Sequence, residues 1–226
     1  MSISNIIHNN KHDLAFLIGN GINLYNSGLT NRSIGPAYKS WREILIELWK
    51  EYIGSGIIEV DGVEQFPDGI TYPEIFDIIE LENFGIDNLY YELQKKICKD
   101  MHKWKPKVHH KKFTDLAILL NIPILTTNYD HNLANQANIS LRKIEGFDSN
   151  DFYPWSKYYG NQQHSYPTDG FGIWHIHGLI DHPRSLRIGL THYAGATQKA
   201  RLLLHEGKEQ SFFYGKNQDH WKGFMT

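Results

Sequence analysis

Apolar positions along the chain follow two rhythms. Three short runs are apolar at nearly every position and stop abruptly at glycine or polar residues. Leu14, Ala15, Phe16, Leu17 and Ile18 run into Gly19-Asn20-Gly21. Ile122, Ile124 and Leu125 run into Thr126-Thr127-Asn128-Tyr129-Asp130. Residues 171–176 run into His177-Gly178. Such short runs predict strands, the first buried on both faces, each ending in a polar turn. Another strand is predicted over 186–190. Between them the period lengthens to that of a helix. Trp41, Ile44, Leu45, Leu48, Trp49 and Tyr52 form an i, i+3, i+4 stripe over 37–53. Pro73 opens a helix reaching about residue 83. Further helices are predicted over 87–104, 107–120 and 193–206, with a short one from about 130. Residues 54–71 read as a loop or small hairpin. The order strand, helices, strand, insertion, strand, strand, helix predicts an α/β fold. Its core is a doubly wound parallel sheet with helical additions.

Length then sets the scale. At 226 residues the chain suffices for one α/β domain over 1–226. Its helical insertion covers about 37–120 and an aromatic loop insertion about 146–170. That second insertion carries Tyr153, Trp155, Tyr158 and Tyr159 and reads as a lid or a partner surface, or its aromatics are ordinary core. A net charge of −2 gives no basic field for nucleic acid. No apolar run approaches the roughly 18 residues of a membrane span, and residues 1–5 do not resemble a secretory leader. The single cysteine, Cys98, excludes an internal disulfide and a zinc ribbon. A cytoplasmic protein is expected.

Each polar turn sits where open α/β sheets place ligands, after a strand. Gly19 and Gly21 lack Cβ atoms, so backbone N–H groups there could approach a phosphate. The dehydrogenase fingerprint G-x-G-x-x-G fails, because its third glycine position is Leu24. An ordinary glycine turn explains this stretch almost as well. In Thr126-Thr127-Asn128-Tyr129-Asp130, either Asn128 or Asp130 could simply cap the following turn. The whole run fits a ligand site better. His175 and His177 share a strand face and could bind one metal. Alternatively His177 projects into the site as a base, and His175 is a buried histidine satisfied by a backbone carbonyl.

In this order, Gly19-Asn20-Gly21-Ile22-Asn23, Thr126-Thr127-Asn128-Tyr129-Asp130 and His177-Gly178 resemble the SIR2 family. The Thr-Thr-Asn-Tyr-Asp form is similar to the SIR2-like NADases of bacterial anti-phage defence. The resemblance spans roughly 13–193, through short motifs alone. It implies a Rossmann-like, SIR2-like domain. The family's four-cysteine zinc module and its Pro-Asp-Phe-Arg segment are absent, so no zinc is expected and the protein-deacylase machinery is missing. No clear Gly-Ser or Gly-Tyr-Ser turn for the adenine ribose follows His177.

The resemblance implies cleavage of NAD+ to nicotinamide and ADP-ribose, with NAD+ as substrate and no cofactor. Gly19, Asn20 and Gly21 would hold the pyrophosphate, with Asn23, Thr126, Thr127 and Gly178 completing the nucleotide site. Asn128 would orient the ribose hydroxyls or the attacking water, Asp130 would stabilise the ribosyl cation or bind the carboxamide, and His177 would be the general base. An unregulated NADase poisons its own cell, so a sensor or regulatory subunit, or a homo-oligomer, is expected. Two other readings stand beside it: an NAD-dependent protein deacylase, and a non-catalytic nucleotide-sensing subunit of a defence complex. A metal-dependent hydrolase using His175 and His177 with Asp130 or Asp181 is a more remote one.

Overall fold

A computed structural model describes residues 14–24, 39–135, 139–144 and 154–205, with Ile7 and Phe152 as isolated positions. The three apolar runs become β1 (Phe16–Ile18), β4 (Ile124–Thr126) and β7 (Ile173–His175). They pair in parallel, β1 with β4 and β4 with β7. Two more strands, β5 (Ser140–Lys143) and β6 (Lys157–Gly160), extend the sheet in the order β1-β4-β7-β6-β5. Both of these pair antiparallel. The sheet is therefore mixed, and the purely parallel sheet expected from the sequence is corrected. The added strands come from segments rich in polar and aromatic residues, where no apolar run announces a strand.

Side-chain alternation splits the sheet between two apolar clusters. Phe16, Ile18, Ile124 and Ile173 pack with Phe113 and Ala117 of α5 (Val108–Leu120). Leu125 and Trp174 pack with Tyr158 of β6 and Ile144 on the other face. A third cluster belongs to three helices: α2 (Trp41–Tyr52), α3 (Tyr72–Glu82) and α4 (Leu89–Met101). Their shared core also takes in Tyr129, Ile180, Leu186 and Ile188, from segments that follow the strands. The helical insertion thus sits over the carboxyl ends of the parallel strands.

Local chemistry fixes where these helices start and stop. Ser40 and Glu43 form a capping box on α2, with Glu43 N donating to Ser40 Oγ at 3.2 Å. At the start of α3 the Glu74 carboxylate accepts from Thr71 N at 2.7 Å and from the Thr71 hydroxyl at 2.6 Å, and Pro73 lies in the first turn. Asn121 ends α5 in the left-handed region at φ 55°. The predicted small hairpin is present as β2 (Ile58–Val60) and β3 (Val63–Gln65), turned by Asp61-Gly62 with φ positive at both.

Three local expectations are corrected. β1 is an edge strand among the described residues and is not buried on both faces: Phe16 and Ile18 pack on the cluster under α5, while Leu17, on the opposite face, is 68% exposed. No strand forms over 186–190. Leu186 instead gives its carbonyl to Tyr90 and Gln94, each at 3.0 Å, so side chains satisfy a backbone that pairs with no strand. The helix expected from about 130 is a set of turns over 131–135. In the aromatic insertion the core alternative holds for Trp155 and Tyr158, which are buried, with Tyr158 stacked on Trp174. Tyr153 and the stretches 25–36 and 206–226 lie outside the described residues. The last helix, α6, starts earlier than expected, at Leu190–His205. No helix among the described residues is long and apolar enough to cross a membrane.

Candidate functional site

Strand register builds the site. Ile18 pairs with Thr126, and Thr126 with His175, so the three motifs leave the sheet from one row. Thr127 N donates to Ile18 O, and Ile176 N to Thr126 O, both at 3.0 Å, which carries the alignment one residue further. The polar turns beyond that row open onto a cavity of about 240 Å³. Asn20, Thr127, Asn128, Asp130 and His177 line it from the strand ends. Trp41, Tyr72, Trp104 and Tyr193 line it from the helical side. A smaller cavity of about 70 Å³ shares Asn20, Trp41 and Trp104 and adds Asn23, Lys39, Lys105 and Lys107.

The other predicted residues build the walls. Thr126 is fully buried; its hydroxyl donates to Ile18 O at 3.0 Å and accepts from Asn128 N at 3.1 Å. Gly178 turns the chain at φ 116°, where a Cβ would collide with the Ser185 carbonyl. Gly19 and Gly21 have no such need. A methyl at Gly19 would meet Thr127 Oγ1 at an ordinary 3.5 Å, and one at Gly21 would meet nothing within 4 Å. The fold alone does not demand glycine at either position.

Asn23, in the short helix α1 (Gly21–Leu24), is the centre of a polar network. Its Nδ2 donates to Asp130 Oδ2 at 2.8 Å and to Asn20 Oδ1 at 2.9 Å. Its Oδ1 faces His110 Nε2 at 2.9 Å and accepts from Asn132 Nδ2 at 3.0 Å. Because His110 Nδ1 accepts from Lys107 N, its Nε2 must carry the proton given to Asn23. Burial pushes the His110 pKa down to about 4, which keeps that neutral tautomer. All four hydrogen-bonding positions of the Asn23 amide are filled, so its side chain positions Asp130 and Asn20.

Asp130 is 4% exposed. Its Oδ1 accepts from Asn132 N at 2.9 Å, the turn-capping role considered for it, while Oδ2 takes Asn23. Burial pushes its pKa up, and these two hydrogen bonds oppose that shift. Asn128 is also buried, with its Nδ2 3.4 Å from Gly19 O. His177 is half-buried and faces the Tyr193 hydroxyl through Nδ1 at 3.5 Å. Burial lowers its pKa, so the imidazole is neutral and able to accept a proton near pH 7. The ensemble offers a buried carboxylate, an amide and a neutral base on one cavity.

His175 takes the plainer of its two readings. It is buried, and its Nδ1 donates to Asn128 O at 2.8 Å, which holds the backbone of the motif beside it. Burial lowers its pKa to about 4. Asn132, His110, Trp41, Trp104 and Tyr193 were not anticipated as site residues. Trp41 is visible in the sequence as part of a helical stripe. Nothing local marks Asn132 or His110, because their partners lie in other segments.

Neither a protein-family model nor a curated protein matches this chain.

Proposed function

We propose that the chain is an NAD+ glycohydrolase, cleaving NAD+ to nicotinamide and ADP-ribose. The observation that carries this reading is the convergence of Asn128, Asp130 and His177 on one cavity beyond three aligned parallel strands. The bond between nicotinamide and the ribose C1′ breaks, and nicotinamide leaves neutral with the bonding pair. No strong general acid is needed, because the leaving group starts as a cation. The ribose passes through an oxocarbenium-like state. Asp130, stripped of water and fixed by Asn23 and Asn132, lies where its charge can stabilise that cation. Asn128 orients the ribose hydroxyls or the water. His177 accepts the water proton at Nε2, with Nδ1 toward Tyr193. Asn20 and the glycines beside it approach the pyrophosphate. Lys105 and Lys107 on the adjoining cavity supply positive charge for an anionic ligand, whereas Lys39 there is already paired with Glu47 and Asp100.

Such an activity suits NAD+ depletion during bacterial anti-phage defence, switched on by a separate sensor subunit or by self-assembly. The test is NAD+ turnover by variants. Asn128→Ala and His177→Ala are expected to lose at least about 100-fold in rate while keeping the far-ultraviolet circular dichroism of the parent. Parental turnover in both would overturn the assignment.

A further inference from the structure

A second cluster of metal-binding side chains lies next to the cavity and plays no part in the reaction just described. His102 ends α4, His131 follows Asp130, and Asp181 sits in the segment after β7. One donor atom from each lies within 4.8 Å of the other two. His131 Nε2 is 3.2 Å from Asp181 Oδ2, and His102 Nε2 is 4.0 Å from Asp181 Oδ1. We propose that His102, His131 and Asp181 bind one divalent transition-metal ion, with zinc the best fit to two imidazoles and a carboxylate.

Three observations support the site. First, the spacing fits. Ligands about 2.0–2.1 Å from a tetrahedral ion are separated by about 3.3 Å; the 3.2 Å between His131 and Asp181 matches this already, and the exposed His102 side chain has to move inward from 4.0 Å. Second, His131 Nε2 is buried and makes no hydrogen bond of acceptable geometry, despite facing the carboxylate. An ion between the two groups satisfies both. Third, the surroundings are those of a coordination site. Tyr159 donates to Asp181 Oδ2 at 3.3 Å, the kind of outer contact that orients a ligating carboxylate. His175, 6% exposed, spends Nδ1 on Asn128 O and has a buried Nε2 without a partner. It lies within electrostatic reach of His131 and Asp181.

His102 and Asp181 are partly exposed, which leaves room for water as a fourth ligand. The ion would tie the end of α4 to the segments after β4 and β7. It would therefore brace the segment carrying Asp130 without touching the reacting atoms. No zinc is expected from the sequence because the four-cysteine module is missing; His102, His131 and Asp181 lie far apart in the chain and form no short motif that would point to a metal. The proposal does not depend on the NAD+ reading.

The experiment uses the full chain stripped with chelator and titrated with Zn²⁺ by calorimetry. Co²⁺ absorption serves as a second, activity-independent readout. The parent is expected to bind one ion per chain, to melt at higher temperature when loaded, and to give visible bands of low-coordinate Co²⁺. His102→Ala and Asp181→Asn should each weaken binding about 100-fold or more and abolish the thermal shift. Both replace partly exposed residues, and circular dichroism of the metal-free variants checks their fold. His192→Ala, which removes a histidine paired with Glu80 elsewhere, should bind as the parent does. Absence of saturable binding to the parent, or equal affinity in the two ligand variants, overturns the proposal and leaves the trio as an ion-pair network.

Discussion

Two glycines near the site serve different purposes, and substitution separates them. Gly178 holds φ 116° and would press a Cβ onto the Ser185 carbonyl. Gly178→Ala should cost about 2 kcal/mol or more and lower the melting temperature by several degrees. An unchanged melting curve would contradict the stated strain. Gly21 opens a helical turn with empty space around its missing Cβ. Gly21→Ala should keep or slightly raise thermal stability. If the turn approaches a pyrophosphate, the same change should raise the KM for NAD+. Parental stability with parental KM would remove Gly21 from the nucleotide site.

At the scale of elements, α1 is held to the segment after β4 by Asn23 and its four side-chain partners. Asn23→Ala leaves Asp130 Oδ2, His110 Nε2 and Asn132 Nδ2 without their shared partner. The expected loss is about 3 kcal/mol in urea denaturation; a change below about 0.5 kcal/mol would show that the network is dispensable. This network also marks the limit of what the chain reveals before folding. The three parallel strands were legible because Phe16, Ile124 and Ile173 sit in short runs that are apolar at nearly every position. The helices were legible from their stripes and, for α3, from Pro73 in its first turn. β5 and β6 were not, because Arg142, Lys143 and Lys157 give their strands a polar face. Asn20, Thr127, Asn128, Asp130 and His177 were placed correctly at one sheet edge, since register alone brings strand ends together. Asn132, His110 and Tyr193 were not, because their roles depend on partners from distant segments.

For the molecule as a whole, buried histidines set the response to acid. His175 and His110 have pKa values lowered to about 4 from the usual 6.5, so the unfolded chain binds their protons first. Stability is full above pH 6.5 and is lost as the pH falls toward 4. His175 alone accounts for about 3 kcal/mol of that loss. His177 shifts in the same direction. Asp130 opposes them: its raised pKa favours the fold while it is protonated, a contribution that fades as pH rises from 3.8 through the raised value. Urea midpoints should therefore fall between pH 6.5 and 4, and a flat profile across that window would contradict the burial of these imidazoles.

The proposed site of NAD+ cleavage is the cavity beyond β1, β4 and β7. It is tested most directly by the nicotinamide released from NAD+ by the purified chain, alone and with the products of neighbouring genes. Stoichiometrically matched nicotinamide and ADP-ribose are expected, formed over many turnovers and lost with His177→Ala. No release above the uncatalysed rate in any of these mixtures, or equal release from His177→Ala, would contradict it.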